Sequence, residues 1–439
     1  MVECDSKQKA WERLCHMIHK SGILLTIIVL AFTLCTGMTG TVMAEAAAVP
    51  ETDYGLVQSK GISIPVFTAE NMRVFDIPDN DALRFSKELK VGWNLGNTFD
   101  AQDSGKGDPK RDYETYWCGA KTSRELIHAL KEAGFKLIRM PVSWHNHLTD
   151  DDYTIDETWM NRVREVAGWI VDEGMYVIIN IHHDNSELFL YPDSEHYEQS
   201  EKYVTSIWKQ VSEAFADFDE HCIYESMNEP RLVGRQYEWW LDESAPECIE
   251  AVECINQLNQ KFVDTVRAAG GNNADRYLLV PGYCASPDGA LTDMFRIPMD
   301  SAENRIMIEV HAYTPYNYAL NMGDPDSSFD LDKDKTKLHE ITDFMNKLYE
   351  KYIQNGIPVI IDEFGALQKN QDDLQGRVNF AAFYIASACA RGITCVWWDN
   401  HAFNGNGEKF GLINRKTVTW KYPDIALAIL ENCSYNRTE

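Results

Sequence analysis

Two glutamates stand out in the stretch YESMNEPR, residues 224–231, because they follow an apolar run. Carboxylates are almost never fully buried without a partner or a function. Side chains alternate along a strand, so Glu225 and Glu229 share a face about 13 Å apart and Asn228 points the other way. We predict that Glu225 is a structural acid paired with a basic residue, and that Glu229 lies where chemistry occurs.

A second pair of acids, Asp362 and Glu363, ends the apolar run in VIIDEFG. Adjacent residues have opposite parity, so one of the two should face the interior of the sheet and the other its outer layer. This alternation favours Glu363 as the residue that faces the interior, and it does not exclude Asp362. An arginine such as Arg139 would pair with Glu363 and keep it ionised.

Two glutamates at the ends of two strands are what glycoside hydrolysis requires. One carboxylate attacks the sugar and must stay ionised, held by donors such as Arg139 and Tyr313. The other must donate a proton, and we expect burial and the nearby anion to raise its pKa.

The histidines of INIHHD raise the question of a metal site. Adjacent residues on a strand point apart, so His182 and His183 should not share one ion. The sequence has neither HExxH nor a Cys/His cluster, so we predict no metal or cofactor. A metal-dependent hydrolase using His182 and His311 is the alternative.

Trp398 is the predicted stacking platform for a sugar, and Trp239 and Trp240 are candidates for the lining of the cleft.

The elements that position these residues alternate along the chain. Eight apolar runs precede or separate helical patterns: 89–96, 136–142, 176–182, 222–228, 276–282, 306–312, 357–363 and 393–399. Near-continuous apolar runs are typical of parallel strands buried on both faces. A capping box, Thr122 with Glu125, predicts the start of one helix, and apolar spacing over 338–352 before Gly356 predicts another. The pattern predicts an α/β protein, a (β/α)8 TIM barrel; an open doubly wound sheet is the alternative.

Polar residues recur at the carboxyl ends of these runs. They are Asn94, Asn97, Arg139, His182, His183, Asn228, Glu229, His311, Tyr313, Glu363, Trp397 and Trp398. In such barrels the active site lies at this end of the strands. The clustering therefore indicates an enzyme.

Composition limits the partners. The 439 residues carry 41 Lys and Arg against 68 Asp and Glu, a net charge of -27, which disfavours nucleic acid as a partner.

A basic stretch, the apolar run Ile23 to Cys35 and small residues up to Ala44 predict a cleaved secretory signal, with an uncleaved anchor as the alternative. We expect a secreted monomer with no stable membrane association after cleavage. Cys248 with Cys254 is the nearest candidate disulfide.

The predicted organisation is a signal peptide at 1–44, an N-terminal extension at 45–86 and a single catalytic barrel at 87–432. A short tail, 433–439, ends the chain. No Pro/Ser/Thr-rich linker or second domain is visible within this sequence.

Seven motifs occur in barrel order: GWNLGNTFDA, IRMPVSW, INIHHD, YESMNEPR, VHAYTPY, IIDEFG and VWWDN. Together they resemble glycoside hydrolase family 5, the cellulase family, and most closely its subfamily 4 endoglucanases. The resemblance covers about 89–400 and implies a retaining endo-β-1,4-glucanase that cleaves cellulose-like glucans without a cofactor.

The resemblance also assigns roles. It makes Glu229 the acid/base and Glu363, rather than Asp362, the nucleophile. The other implied catalytic residues are Arg139, Asn228, His311 and Tyr313, and the implied substrate contacts are Asn97, His182, His183 and Trp398. Mixed-linkage glucan and xyloglucan are further implied substrates, while mannan, xylan or binding without catalysis are the alternatives.

Overall fold

The computed structural model describes residues 55–434, and the predicted signal peptide lies outside them. Eight parallel strands close into a barrel in the order β1 to β8, with β1 paired to both β2 and β8. The strands are β1 Val91–Asn94, β2 Leu137–Met140, β3 Tyr176–Asn180, β4 Cys222–Glu225, β5 Leu278–Pro281, β6 Ile306–His311, β7 Val359–Phe364 and β8 Thr394–Trp397. This closed sheet confirms the predicted (β/α)8 barrel and excludes the doubly wound alternative.

Eleven α-helices occur within the described residues. They are α1 Asp81–Leu89, α2 Tyr113–Tyr116, α3 Arg124–Ala133, α4 Glu157–Asp172, α5 Tyr197–Ala214, α6 Pro246–Ala268, α7 Pro287–Leu291, α8 Tyr316–Ala319, α9 Lys335–Lys351, α10 Leu374–Ala390 and α11 Pro423–Glu431. A two-stranded antiparallel hairpin, β9 Ile413–Asn414 with β10 Thr419–Trp420, follows β8. None of the helices in residues 55–434 is long and apolar enough to span a bilayer.

Helix α1 closes the amino-terminal end of the barrel. Its N-cap residue, Asn80, accepts a hydrogen bond from the Leu83 amide at 2.8 Å and donates to the Gly356 carbonyl at 2.7 Å. This cap fixes the helix so that Phe85 packs inside the barrel, stacked on Tyr277 with ring centroids 3.5 Å apart. With the lower end sealed by apolar side chains, the polar residues remain at the opposite end.

Two local predictions were wrong in detail. Helix α3 is capped by Ser123, whose hydroxyl accepts from the Leu126 amide, and not by Thr122. The cysteines Cys248 and Cys254 are both free and buried on α6. Six residues of helix rise about 9 Å, which exceeds the span of a disulfide.

Candidate active site

Arg139, on β2, is the fully buried centre of the carboxyl end of the barrel. Its Nε and Nη2 donate to the two oxygens of Glu225 at 2.6 and 2.7 Å. Its Nη1 donates to Glu363 at 2.7 Å and to Asn94 at 3.1 Å, and Nη2 also donates to Asn228 at 2.7 Å. The predicted basic partner of Glu225 is therefore Arg139, which also holds Glu363.

Glu229 and Glu363 face each other across His311. The His311 Nδ1 lies 2.8 Å from Glu229 Oε1 and 3.7 Å from Glu363 Oε2. One oxygen of each glutamate and a nitrogen of His311 all lie within 4.8 Å of one another. The Tyr313 hydroxyl donates to Glu363 at 2.9 Å, and Arg231 lies 3.4 Å from Glu229. Two carboxylates thus meet at the mouth of the barrel with separate sets of donors.

Glu229 and His311 share one proton. Burial raises the pKa of Glu229, but the hydrogen bond and charge of His311 outweigh it and lower that pKa to about 2. Burial lowers the pKa of His311, whereas the charge of Glu363 and the hydrogen bond with Glu229 raise it to about 9. At neutral pH the proton therefore lies on His311 in the resting protein. The expectation of a raised pKa for the acid/base is wrong for Glu229 in the resting protein. The sequence did not reveal that a protonated His311 would lie 2.8 Å from Glu229.

Aromatic rings form one wall of the mouth. The ring of Trp398, after β8, stacks on His182 with centroids 5.9 Å apart and planes 9° from parallel. Gly96 permits this position, because a Cβ there would lie 2.7 Å from the Trp398 ring. Asn97 follows with a left-handed backbone, φ 59°, and is half-buried at the rim. His183 is partly exposed beside His182, with ring centroids 4.3 Å apart.

The chain matches known proteins over most of its length. The family model described as cellulase, glycosyl hydrolase family 5, matches residues 101–404. The chain belongs to glycoside hydrolase family 5. Endoglucanase 1 of Ruminococcus albus is 40% identical over 364 residues, covering 81% of this chain and 84% of that one. Endoglucanase A of the same organism is 39% identical over 367 residues, covering 83% and 96%.

Solved structures agree with this assignment. A family 5 lichenase from Caldicellulosiruptor sp. F32, also determined with cellotetraose, is 51% identical with a TM-score of 0.81, covering 85% of this chain and all of that one. A broad-specificity GH5-4 endoglucanase from Ruminococcus champanellensis with bound cellotriose is 40% identical with a TM-score of 0.73, covering 81% and 100%. The protein is thus a glycoside hydrolase of the endo-β-1,4-glucanase type.

At two positions of this family 5 enzyme, the direction predicted from the alternation of side chains along a strand is wrong. Asp362 and Glu363 both point inward, and their oxygens lie 3.3 and 2.7 Å from nitrogens of Arg139. The cause is an irregular register between Ile361 and Phe364 where β7 pairs with β8. Asn228 also faces Arg139, because regular alternation ends with β4.

The two adjacent histidines also lie together, contrary to the prediction, since β3 ends before them. Donor atoms of Asp100, His182 and His183 lie within 4.8 Å of one another. The two Asp100 oxygens, however, already accept from the amides of Asn97 and Thr98 at 2.9 and 2.6 Å. The His182 Nδ1 lies 3.0 Å from the Asn180 amide. These contacts give each of Asp100 and His182 a protein partner.

The tryptophans separate into core and cleft. Trp144 and Trp397 are fully buried, whereas Trp239 and Trp240 are 57% and 54% exposed. The Arg231 guanidinium lies 4.0 Å from the centroid of the Trp239 ring and also contacts Glu229. Arg231 therefore connects Trp239 to the candidate acid/base.

Sequence reasoning missed Arg231 beside Glu229, and it also missed Asn180 and Glu309. Asn180 donates to Glu225 at 2.7 Å and so completes its set of donors. Glu309 is fully buried on β6, with Oε1 3.5 Å from His311 Nε2. Both could have been found, because each is a polar residue inside an apolar strand run, and Glu309 has the same parity as His311.

Proposed function

We propose that this enzyme is a retaining endo-β-1,4-glucanase, with Glu363 as nucleophile and Glu229 as acid/base. The observation that carries the proposal is the separation of their nearest carboxyl oxygens, at most 4.8 Å. Retaining glycosidases place the two carboxyl groups about 5 Å apart, whereas inverting enzymes leave about 6.5–9.5 Å for a water molecule.

The surrounding donors support this division of roles. Arg139 and Tyr313 donate to the two oxygens of Glu363, so the carboxyl group is held in place and aimed at the anomeric carbon. Glu229 has an exposed side of its own, 18% accessible, from which it reaches the glycosidic oxygen. It gives that oxygen a proton as the glycosyl–enzyme bond forms, and then takes a proton from the water that cleaves this bond.

The remaining site residues are proposed to bind sugar. Trp398 stacks on the sugar whose bond is cleaved, and Asn228 forms a hydrogen bond with the 2-hydroxyl of that sugar. Burial lowers the pKa of His182 well below its ordinary value and that of His183 to about 4. Both rings are therefore neutral at pH 7 and can exchange hydrogen bonds with hydroxyl groups. Asn97 is a more distant contact at the rim.

Mixed-linkage glucan is the second substrate we propose. The similarity to a lichenase at 51% identity supports it, and that lichenase was also determined with cellotetraose. A panel of carboxymethylcellulose, barley β-glucan, xyloglucan, glucomannan and xylan tests the specificity. Activity confined to xylan or glucomannan would contradict the proposal.

The catalytic assignment is tested with Glu363→Gln, which removes the charge and keeps the shape. We expect hydrolysis of barley β-glucan to disappear while the circular dichroism spectrum is unchanged. Glu340→Gln, an exposed acid on α9, is the matched control and should keep full activity. Appreciable turnover by Glu363→Gln would overturn the choice of nucleophile, and binding without turnover by the unaltered protein would favour a non-catalytic role. The anomer first released, followed by NMR, tests retention.

We also propose that the enzyme is secreted as a monomer. The basic stretch and apolar run before Ala44 support export. Amino-terminal sequencing of the exported protein should begin at Glu45, and light scattering should give the mass of one chain. A membrane-bound product that retains residues 1–44 would favour the uncleaved anchor.

A further inference from the structure

Two buried carboxyl groups lie behind His311, on the side away from Glu229. Glu309 on β6 and Asp362 on β7 are both 0% exposed. Their nearest oxygens each lie 3.5 Å from His311 Nε2. Among the described residues, none of their four oxygens has a hydrogen-bond donor. The proposed reaction uses neither residue.

Arg139 does not supply the missing donors. A guanidinium has five N–H groups, and those of Arg139 go to Asn94, Glu225, Glu363 and Asn228. Asp362 lies 3.3 Å from Arg139 Nε without receiving one of them. Arg139 and a protonated His311 together already face three carboxylates, those of Glu225, Glu229 and Glu363, so two more buried anions would be poorly compensated.

A buried carboxylate without donors is costly, and protonation removes that cost. Burial raises the pKa of Asp362 well above its ordinary value, and the neighbouring charge of Glu225 adds to this despite Arg139. Arg139 and Asn180 donate to Glu225 and keep it ionised, so the proton that relieves this repulsion lies on Asp362. Burial likewise raises the pKa of Glu309 well above its ordinary value.

We propose that Glu309 and Asp362 form a neutral, protonated carboxyl pair behind His311, and that this pair allows His311 to store the proton used by Glu229. Glu309 and Asp362 are positioning residues, since they act through His311 and do not reach substrate. The inference rests on the proposed role of Glu229 as acid/base.

The proton moves along the existing hydrogen bond. The Nδ1–H bond of the His311 imidazolium breaks, an O–H bond forms on Glu229 across 2.8 Å, and a neutral imidazole with its Nε2 proton remains. The carbonyl oxygen of a neutral Glu309 carboxyl can accept from Nε2–H before and after this transfer. An ionised Glu309 or Asp362 at 3.5 Å would instead stabilise the imidazolium and hold the proton on His311.

Other groups also act on His311. The titratable or charged groups that face it are Glu225 on β4, Glu229 after β4, Glu363 and Asp362 on β7, Glu309 on β6, Arg139 on β2 and His182 after β3. Of these, only Glu309 and Asp362 combine full burial with oxygens that have no donor.

Infrared spectroscopy of the resting enzyme tests the protonation state directly. The difference spectrum between wild type and Glu309→Gln should contain the C=O stretching band of a protonated carboxyl at pH 7. Glu303→Gln, an exposed acid just before β6, is the matched control and should give only a carboxylate band. A carboxylate band for Glu309 would overturn the proposal, whatever the role of Glu229.

The pH dependence of kcat/KM on an aryl β-cellobioside tests the effect on His311. Glu309→Gln keeps a neutral acceptor, so the basic limb should stay within about 0.3 pH unit of wild type. Glu309→Leu removes the acceptor of a charged donor, so the limb should move to lower pH by about one to two units. Equal shifts in both variants, or none in either, would overturn the proposal.

A direct observation of His311 keeps the proposal testable if Glu309→Leu does not fold. In 15N-histidine-labelled wild type, both ring nitrogens of His311 should be protonated at pH 7. The His311 signals are identified by their loss in His311→Asn. A neutral His311 ring in the resting enzyme would overturn proton storage, while the loss of activity in Glu229→Gln separately tests the acid/base.

Discussion

Replacing Arg139 by lysine keeps the positive charge and removes the five-donor fork. An ammonium has three N–H donors, so at least two of the five hydrogen bonds to Glu225, Glu363, Asn94 and Asn228 must be lost. Each charge-assisted bond contributes about 1.5–3 kcal/mol, so the unfolding free energy should fall by about 3–6 kcal/mol. If the 2.7 Å bond to Glu363 is among those lost, kcat/KM should fall by about 10- to 150-fold.

The stability is measured by urea unfolding, and kcat/KM on barley β-glucan by reducing-sugar release. Arg276→Lys is the matched control, because Arg276 is also buried but donates mainly to backbone carbonyls such as those of Asp219 and Cys222. It should lose stability and keep kcat/KM. An unfolding free energy of Arg139→Lys equal to that of the wild type would refute the reasoning. An equal loss of activity in Arg276→Lys would attribute the effect to folding instead.

Four further results are expected. Glu229→Ala should hydrolyse cellotetraose with a kcat/KM about 10²- to 10⁴-fold lower than that of the wild type. Azide should restore turnover of an aryl β-cellobioside by this variant, with a β-glycosyl azide as product. The absence of rescue, or an α-glycosyl azide as product, would contradict the acid/base role. Gly96→Ala should displace the Trp398 ring and raise the KM for cellotetraose about 2- to 10-fold; an unchanged KM would remove Trp398 as a platform. The pKa of His311 is raised from 6.5 to about 9 on folding, so its stabilisation is complete below pH 6.5 and lost as pH rises through 9. His311→Gln should therefore flatten the decline of unfolding free energy between pH 6.5 and 9, measured by urea titration, and an unaltered decline would contradict this pKa. Dialysis against EDTA should leave kcat/KM unchanged, whereas loss of activity would revive the metal-dependent alternative.

The architecture could be predicted from the sequence because burial on both faces leaves a direct mark in composition. All eight apolar runs contain the observed strands apart from one residue, Phe364, at the end of β7. Helix ends were less certain: Thr122 and Ser123 are equally good capping residues by type, and only the backbone decides that Ser123 is the cap. The N-terminal closure by α1 could not be read from sequence, because nothing in residues 81–89 specifies which end of the barrel they cover.

The candidate site was predictable by residue type and less so by direction. Glu229, Glu363 and Arg139 follow from polar residues at strand ends, and the structure brings them together. Parity failed for Asp362 and Asn228, since strands lose their alternation at the ends, where active sites are built. Direction at these positions depends on register, which requires the neighbouring strand.

The charge of each buried acid depends on how many N–H donors reach its oxygens. No local sequence pattern contains that number. Glu225 receives three, from Arg139 and Asn180, and is a buried anion. Glu363 receives one from Arg139 and an O–H from Tyr313. Glu309 and Asp362 receive none. Because Arg139 has only five donors, adding one more charged acid would take a donor from Glu363. In the proposed neutral state, Glu309 and Asp362 need no donor from Arg139, and Glu363 keeps its hydrogen bond with Arg139.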